Sequence, residues 1–140
     1  MKLRKYLLYA ISFLQILLIL GPAPGLNASD TAGIPRITAD QVNRLLGKPD
    51  TVIIDVRRPR NWWRTRKKVL TAVREEPSKV DQWARKYAKD QTLIFYWTWK
   101  NERTSARVAG YFRQNGYNNV FTLKGGWQAW LKAKYPIEDK

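Results

Sequence analysis

Apolar runs of strand length recur between stretches of helical periodicity, and that alternation constrains the fold more than any other feature of the chain. T-V-I-I-D-V (Thr51 to Val56), T-L-I-F-Y (Thr92 to Tyr96) and N-V-F-T-L (Asn119 to Leu123) are continuous rather than alternating, and rich in β-branched or aromatic residues. Such runs suit strands covered on both faces. Val69 to Val73 is a shorter, weaker run of the same kind. Thr38 followed by Gln41 is a capping-box pattern that predicts a short helix from Ala39 to Leu46, stopped by Gly47. Ser78 is placed to cap a helix in which Val80, Trp83, Ala84 and Tyr87 fall on one face, and Thr104 to Gln114 carries Val108, Tyr111 and Phe112 inward. A final helix follows Gly125 and Gly126, bears Trp127, Trp130 and Leu131 on one stripe, and is expected to end at Pro136. Strand and helix in turn predict an α/β domain: a small parallel β-sheet flanked by helices on both faces, joined by right-handed crossovers.

Composition limits the chemistry such a sheet can carry. The 140 residues contain no Cys and no His, which excludes thiol nucleophiles, disulfides, Cys/His zinc sites and imidazole triads. No metal site and no cofactor is expected. The net charge is +15, while 44% hydrophobic residues and seven Trp suffice for a core. The N-terminus reads M-K-L-R-K, then an apolar stretch from Tyr6 to Leu20, then Gly21 to Gly25 with two prolines. This is the three-part plan of a secretory signal; a membrane anchor is the alternative reading of the same residues. Residues 1–28 are expected to be that leader, 29–33 a linker and 34–140 the domain, an exported protein that is periplasmic or membrane-associated.

Ligands of open parallel sheets bind beyond the carboxyl ends of the strands, so the segments after Val56, Tyr96 and Leu123 are the places to look. After Tyr96 the chain reads W-T-W-K-N-E-R-T-S, a polar loop running straight into a helix, which is a cradle for an anion. From about Ile34 to Pro136 the chain resembles the rhodanese-like domain. The resemblance rests on I-I-D-V-R (Ile53 to Arg57), T-S-A-R-V-A (Thr104 to Ala109), N-G-Y-N-N-V (Asn115 to Val120) and L-K-G-G-W-Q-A-W (Leu123 to Trp130), in that order. It implies a sulfurtransferase fold whose catalytic loop begins with a cysteine that carries sulfane sulfur as a persulfide. The matching position is Trp97, followed by Thr98, Trp99, Lys100, Asn101, Glu102, Arg103, Thr104 and Ser105; Trp99 matches a second position at which relatives carry a cysteine. Asp55 and Arg57 would support that loop.

An indole forms no persulfide. The chain as written is therefore expected to be inactive in sulfur transfer and to retain binding of a small sulfur-containing anion or of a partner. Lys68-Val69-Leu70 stands where the family often has a G-H-I step, again without histidine. Trp97 to Arg103 has the register of the C-x-x-x-x-x-R loop of dual-specificity phosphatases, equally without its nucleophile. The bland alternative is that Trp97 and Trp99 pack, partly buried, at the sheet edge. Because Trp shares its codon box with Cys and with UGA, a second reading is an active enzyme with Cys or selenocysteine natively at position 97.

The segment after the first strand, R-R-P-R-N-W-W-R-T-R-K-K, holds seven cations, two Trp and no acid. Arg58, Arg60, Trp62, Trp63, Arg64, Arg66, Lys67 and Lys68 are candidates for a surface that meets an anionic membrane or an acidic protein partner. That makes a basic membrane-surface-associated structural protein the third reading, and a solvated charged loop the bland one. Nucleic acid is not the expected partner, since no RNA-binding signature is present. Glu75 with Glu76 reads as a surface pair in a turn rather than an acid/base site.

Overall fold

The computed structural model describes residues 33–140. The expected leader and all but the last residue of the expected linker lie outside them. The elements run β1 (Arg36–Ile37), α1 (Ala39–Leu45), β2 (Thr51–Asp55), α2 (Pro59–Trp63), β3 (Lys67–Val69), β4 (Val73–Arg74), α3 (Val80–Trp83), β5 (Thr92–Tyr96), α4 (Arg103–Gln114), β6 (Val120–Leu123), α5 (Gly126–Lys132) and β7 (Ile137–Asp139). Five strands form one parallel sheet in the order β1-β6-β5-β2-β4, and β3 with β7 forms a separate antiparallel ribbon.

The central strands bury both faces, as their unbroken apolar sequences require. Successive side chains of a strand point to opposite sides. Ile54, Leu93 and Phe95 accordingly join Val108, Phe112, Trp83 and Tyr117 on one face, while Ile53, Ile94 and Tyr96 join Val42, Val69, Trp127 and Trp130 on the other. Phe112 centres the first cluster, 5.0 Å from the ring of Phe95 and 4.7 Å, edge-on, from Tyr117. The Thr38 capping box is formed: Gln41 N–H donates to the Thr38 hydroxyl at 3.3 Å, and Thr38 N–H to Gln41 Oε1 at 2.9 Å.

Three local expectations are corrected. Val69 to Val73 is not one strand: Ala72 N–H turns back onto Val69 C=O at 3.0 Å, Thr71 takes φ 66°, and the segment divides between β3 in the ribbon and β4 in the main sheet. Ser78 is not the cap. Its amide and hydroxyl both donate to the Glu76 carboxylate, and the chain makes a 3-10 turn before and after the four-residue α3. The expected stripe is still met, because Val80, Trp83 and Ala84 are buried. Finally, α5 stops at Lys132, and Lys134 at φ 57° turns the chain before Pro136 is reached. The Pro136 carbonyl then accepts from Leu70 N–H and from Trp130 Nε1.

Candidate functional site

The segment from Trp97 to Glu102 leaves the carboxyl end of β5 and enters α4 through Glu102, which takes the left-handed conformation at φ 51°. In sequence Glu102 is only one more polar residue of the loop. In the fold it is buried, and its carboxylate accepts from Arg36 Nε at 2.9 Å, Arg36 Nη2 at 2.5 Å, Gly125 N–H at 2.8 Å and the Thr122 hydroxyl at 3.3 Å. One carboxylate thus ties the end of the loop to β1, β6 and the turn before α5. Arg36 lies 66 residues from Glu102 in sequence, so no local signal pairs them.

The beginning of the loop is fixed by backbone. Trp97 C=O accepts from Trp127 N–H at 2.7 Å, across Gly126. Gly126 sits at φ 57°, and a Cβ there would come within 2.3 Å of the Trp97 carbonyl oxygen. The glycine pair therefore does more than permit the turn into α5; it allows the first turn of that helix to press on the loop.

The Trp97 side chain is buried, with the Arg58 guanidinium 5.9 Å from its ring centre, whereas Trp99 is 52% exposed. Partial burial of both is corrected accordingly: Trp97 packs and Trp99 projects. Trp97 Nε1 and the hydroxyls of Thr98 and Thr104 are buried without a hydrogen-bond partner. Among the described residues, none of the amides of Thr98, Trp99, Lys100 and Asn101 donates to a protein acceptor. Lys100, Asn101 and Arg103 are exposed, and the Ser105 hydroxyl donates to Glu102 C=O at 2.9 Å. Two cavities flank the loop. One of about 320 Å³ is lined by Arg36, Asn101, Glu102 and Arg103, and one of about 570 Å³ by Arg36, Lys100, Lys124, Gln128 and Lys132; Trp97 lines neither.

Asp55 and Arg57 form a fully buried ion pair at 2.6 Å. Arg57 also donates to the Thr65 hydroxyl at 2.9 Å and to Lys67 C=O at 3.0 Å, and its guanidinium lies 4.6 Å from the Trp127 ring centre, 5.1 Å from Trp62 and 5.7 Å from Tyr96. These contacts brace the segment from Thr65 to Lys67 after β2, and they also reach Tyr96, the residue before the loop, and Trp127, whose amide holds the Trp97 carbonyl. The Tyr96 hydroxyl donates to Asp55, and burial, followed by the Asp55 charge, raises its pKa well above the ordinary 10 despite the opposing pull of Arg57.

The basic segment is reduced in turn. Lys67 pairs with Asp139 at 2.9 Å and Lys68 with Glu138, so these cations are consumed by the β3–β7 ribbon. Trp62 is half-buried and faced by Arg57, Arg74 and Lys140, the last at 4.2 Å. Trp63 is 77% exposed, and Arg58, Arg60, Arg64 and Arg66 are exposed and join no ion pair among the described residues. Glu75 is not a surface acid: it is buried and accepts from Lys86 Nζ at 3.1 Å and the Tyr87 hydroxyl at 3.0 Å.

Fold and site together define a small parallel α/β domain with a polar loop between its central strand and the following helix. The model of the rhodanese-like domain matches residues 38–133, and the chain belongs to that family. It is similar to the solved structure of a protein of unknown function from Rhodopseudomonas palustris CGA009, described as a possible tyrosine phosphatase. That match has TM-score 0.67 and 25% identity, and covers 79% of this chain and 89% of that one. The rhodanese-like domain of the Anabaena sp. Alr3790 protein aligns with TM-score 0.64 and 23% identity over 76% of this chain and 80% of its own. A rhodanese-related protein from Thermoplasma volcanium aligns with TM-score 0.61 and 20% identity over 74% and 97%. The latter two establish shared fold alone. No curated protein matches the sequence.

Proposed function

We propose that this chain is an exported rhodanese-like domain that does not transfer sulfur and instead binds a small anion beside its loop. The observation that carries the reading is the buried indole of Trp97, the residue that the resemblance matches to the nucleophile. Persulfide chemistry needs a thiolate that attacks the outer sulfur of thiosulfate, breaks the S–S bond and expels sulfite with its electron pair. Cyanide would then remove that sulfur as thiocyanate and restore the thiolate. The sequence contains no cysteine to begin either step, and the same absence stops a cysteine-dependent phosphatase reaction in the register Trp97 to Arg103. The adjacent cavity of about 570 Å³ is lined by Lys100, Lys124 and Lys132, with Arg36 already shared with Glu102, and none of its lining residues is acidic. Such a cavity attracts an anion and repels a cation.

A second reading is an active sulfurtransferase with Cys or selenocysteine at position 97 in the native protein. It is favoured by the buried, unpartnered hydroxyls of Thr98 and Thr104, because buried polar groups ordinarily have partners and a smaller residue at position 97 would leave room for an anion that supplies them. One set of measurements separates the two. The protein with Trp97 should give no thiocyanate from thiosulfate and cyanide, and should bind thiosulfate or pyrophosphate in calorimetry, weakened when Lys100 and Lys124 become Glu. Turnover with Trp97 present would overturn the binding reading. A thiocyanate signal only from Trp97→Cys would support the second.

A further inference from the structure

The carboxyl edge of the sheet carries a surface that the loop chemistry does not use. β2 and β5 are adjacent and parallel, with Asp55 level with Tyr96, so the segments 57–66 and 97–103 leave the sheet at the same edge. The contact of the Arg58 guanidinium with the Trp97 ring joins them. Each segment projects one indole, Trp63 at 77% and Trp99 at 52% exposure. Around them stand Arg58, Arg60, Arg64, Arg66, Lys100 and Arg103, all exposed and all outside the ion pairs of the described residues.

The acids near this edge do not offset those cations. Asp55 is neutralised by Arg57, Glu102 by Arg36, Glu75 by Lys86 and Glu76 by Arg74. The field at this edge is therefore positive. An indole, with an apolar body and one polar edge, suits a contact with an interface that is apolar on one side and wet on the other. We infer that this edge docks on an anionic bilayer surface, with Trp63 and Trp99 entering the headgroup layer and the surrounding cations meeting lipid phosphates. Indoles settle at the membrane interface, and each cation near an anionic surface contributes about 1 kcal/mol, or about fivefold in partitioning. Trp99 projects, Trp63 borders an open cavity of about 350 Å³ with Pro59, Trp62, Arg74 and Glu76, and among the described residues the six cations join no ion pair. Mobile lipid headgroups can adjust to that pattern. Among the described residues no helix is long and apolar enough to cross a membrane, so the contact lies at the surface.

The test uses the full chain in vesicles of brominated phosphatidylcholine alone and of an equal mixture with phosphatidylglycerol. Any insertion of the N-terminal apolar segment is then common to both. Trp emission should be quenched in the anionic vesicles and not in the neutral ones. Trp63→Phe and Trp99→Phe should each remove part of the quenched emission. Reversal of Arg58, Arg60 and Arg64 to Glu should lower the docked population by roughly a hundredfold, taken as about fivefold per lost cation. Equal quenching in the two lipids, quenching that survives the charge reversal, or a quenched signal unaffected by both Trp substitutions would each overturn the inference. Docking confined to an acidic protein would appear as no quenching in either lipid, and that result would overturn it as well. These side chains are exposed, and an unchanged near-ultraviolet dichroism spectrum verifies that the variants are folded.

Discussion

Replacement of Asp55 by Asn tests what holds the carboxyl edge in place. The carboxylate accepts from Arg57 N–H at 3.0 Å, from Arg57 Nε at 2.9 Å, from Nη2 at 2.6 Å and from the Tyr96 hydroxyl, all out of contact with water. An amide keeps the shape but removes the charge, and it points a donor at groups that are themselves donors. Arg57 would keep one amide oxygen in place of the carboxylate, with the Thr65 hydroxyl, Lys67 C=O and three aromatic faces, and no negative partner. Removing one partner of a buried ion pair costs about 3–5 kcal/mol, because the other charge is left uncompensated. Domains of this size have about 5–15 kcal/mol in total, so the midpoint of urea unfolding should fall by about a fifth or more. Arg57→Met should cost a similar amount. The double variant should cost clearly less than the two together, since each single change leaves a charge that the double removes. Additive losses, or a cost below about 1 kcal/mol for Asp55→Asn, would refute a dry, mutually dependent pair.

Three further outcomes follow from individual contacts. Gly126→Ala forces a Cβ onto the Trp97 carbonyl at 2.3 Å from a left-handed backbone; about 3 kcal/mol of stability should be lost and the Trp127 amide should exchange faster with solvent. Tyr96→Phe deprives Val69 N–H of its acceptor at 3.2 Å and Asp55 of a donor, so about 1–3 kcal/mol should be lost in urea, with earlier exchange at Val69. Glu138 titrates below its ordinary 4.5, chiefly through the Lys68 hydrogen bond and also through the Thr71 amide, against opposing desolvation. Its contribution is complete above the unfolded value and is lost as pH falls through the depressed folded one. The Thr71 amide resonance should therefore shift with acid in the wild type and stay put in Glu138→Gln.

The sequence discloses most where one physical signal dominates a segment. β2, β5 and β6 are unbroken β-branched or aromatic runs, and the Thr38–Gln41 box needs four residues to declare itself. β1 spans two residues and β7 exists only by pairing with β3 some seventy residues away, so neither has a local pattern. α2 has no apolar stripe; Pro59 in its first turn is the available sign, masked by the density of arginines. In the site, the start of the loop at position 97 is legible because the apolar run Thr92–Tyr96 ends just before it. The Glu102 brace is not, since a buried acid looks like any loop acid until Arg36, Thr122 and Gly125 N–H converge on it. Lys67 and Lys68 illustrate the converse. A charge run in sequence says nothing about which members are neutralised by Glu138 and Asp139 at the far end of the chain.

The contacts that shape the loop are independent of the side chain at position 97. Its first carbonyl is held by Trp127 N–H across Gly126, and its last residue by the Glu102 carboxylate; both would remain with any side chain at position 97. A nucleophile can therefore be absent from this position without dismantling the backbone that once would have served it. The indole excludes water and an anion from the space it fills, while Lys100 and Arg103 farther along the loop are exposed. The rim of Trp99, Lys100, Arg103, Trp63 and four arginines that join no ion pair among the described residues carries its charge whatever residue stands at position 97.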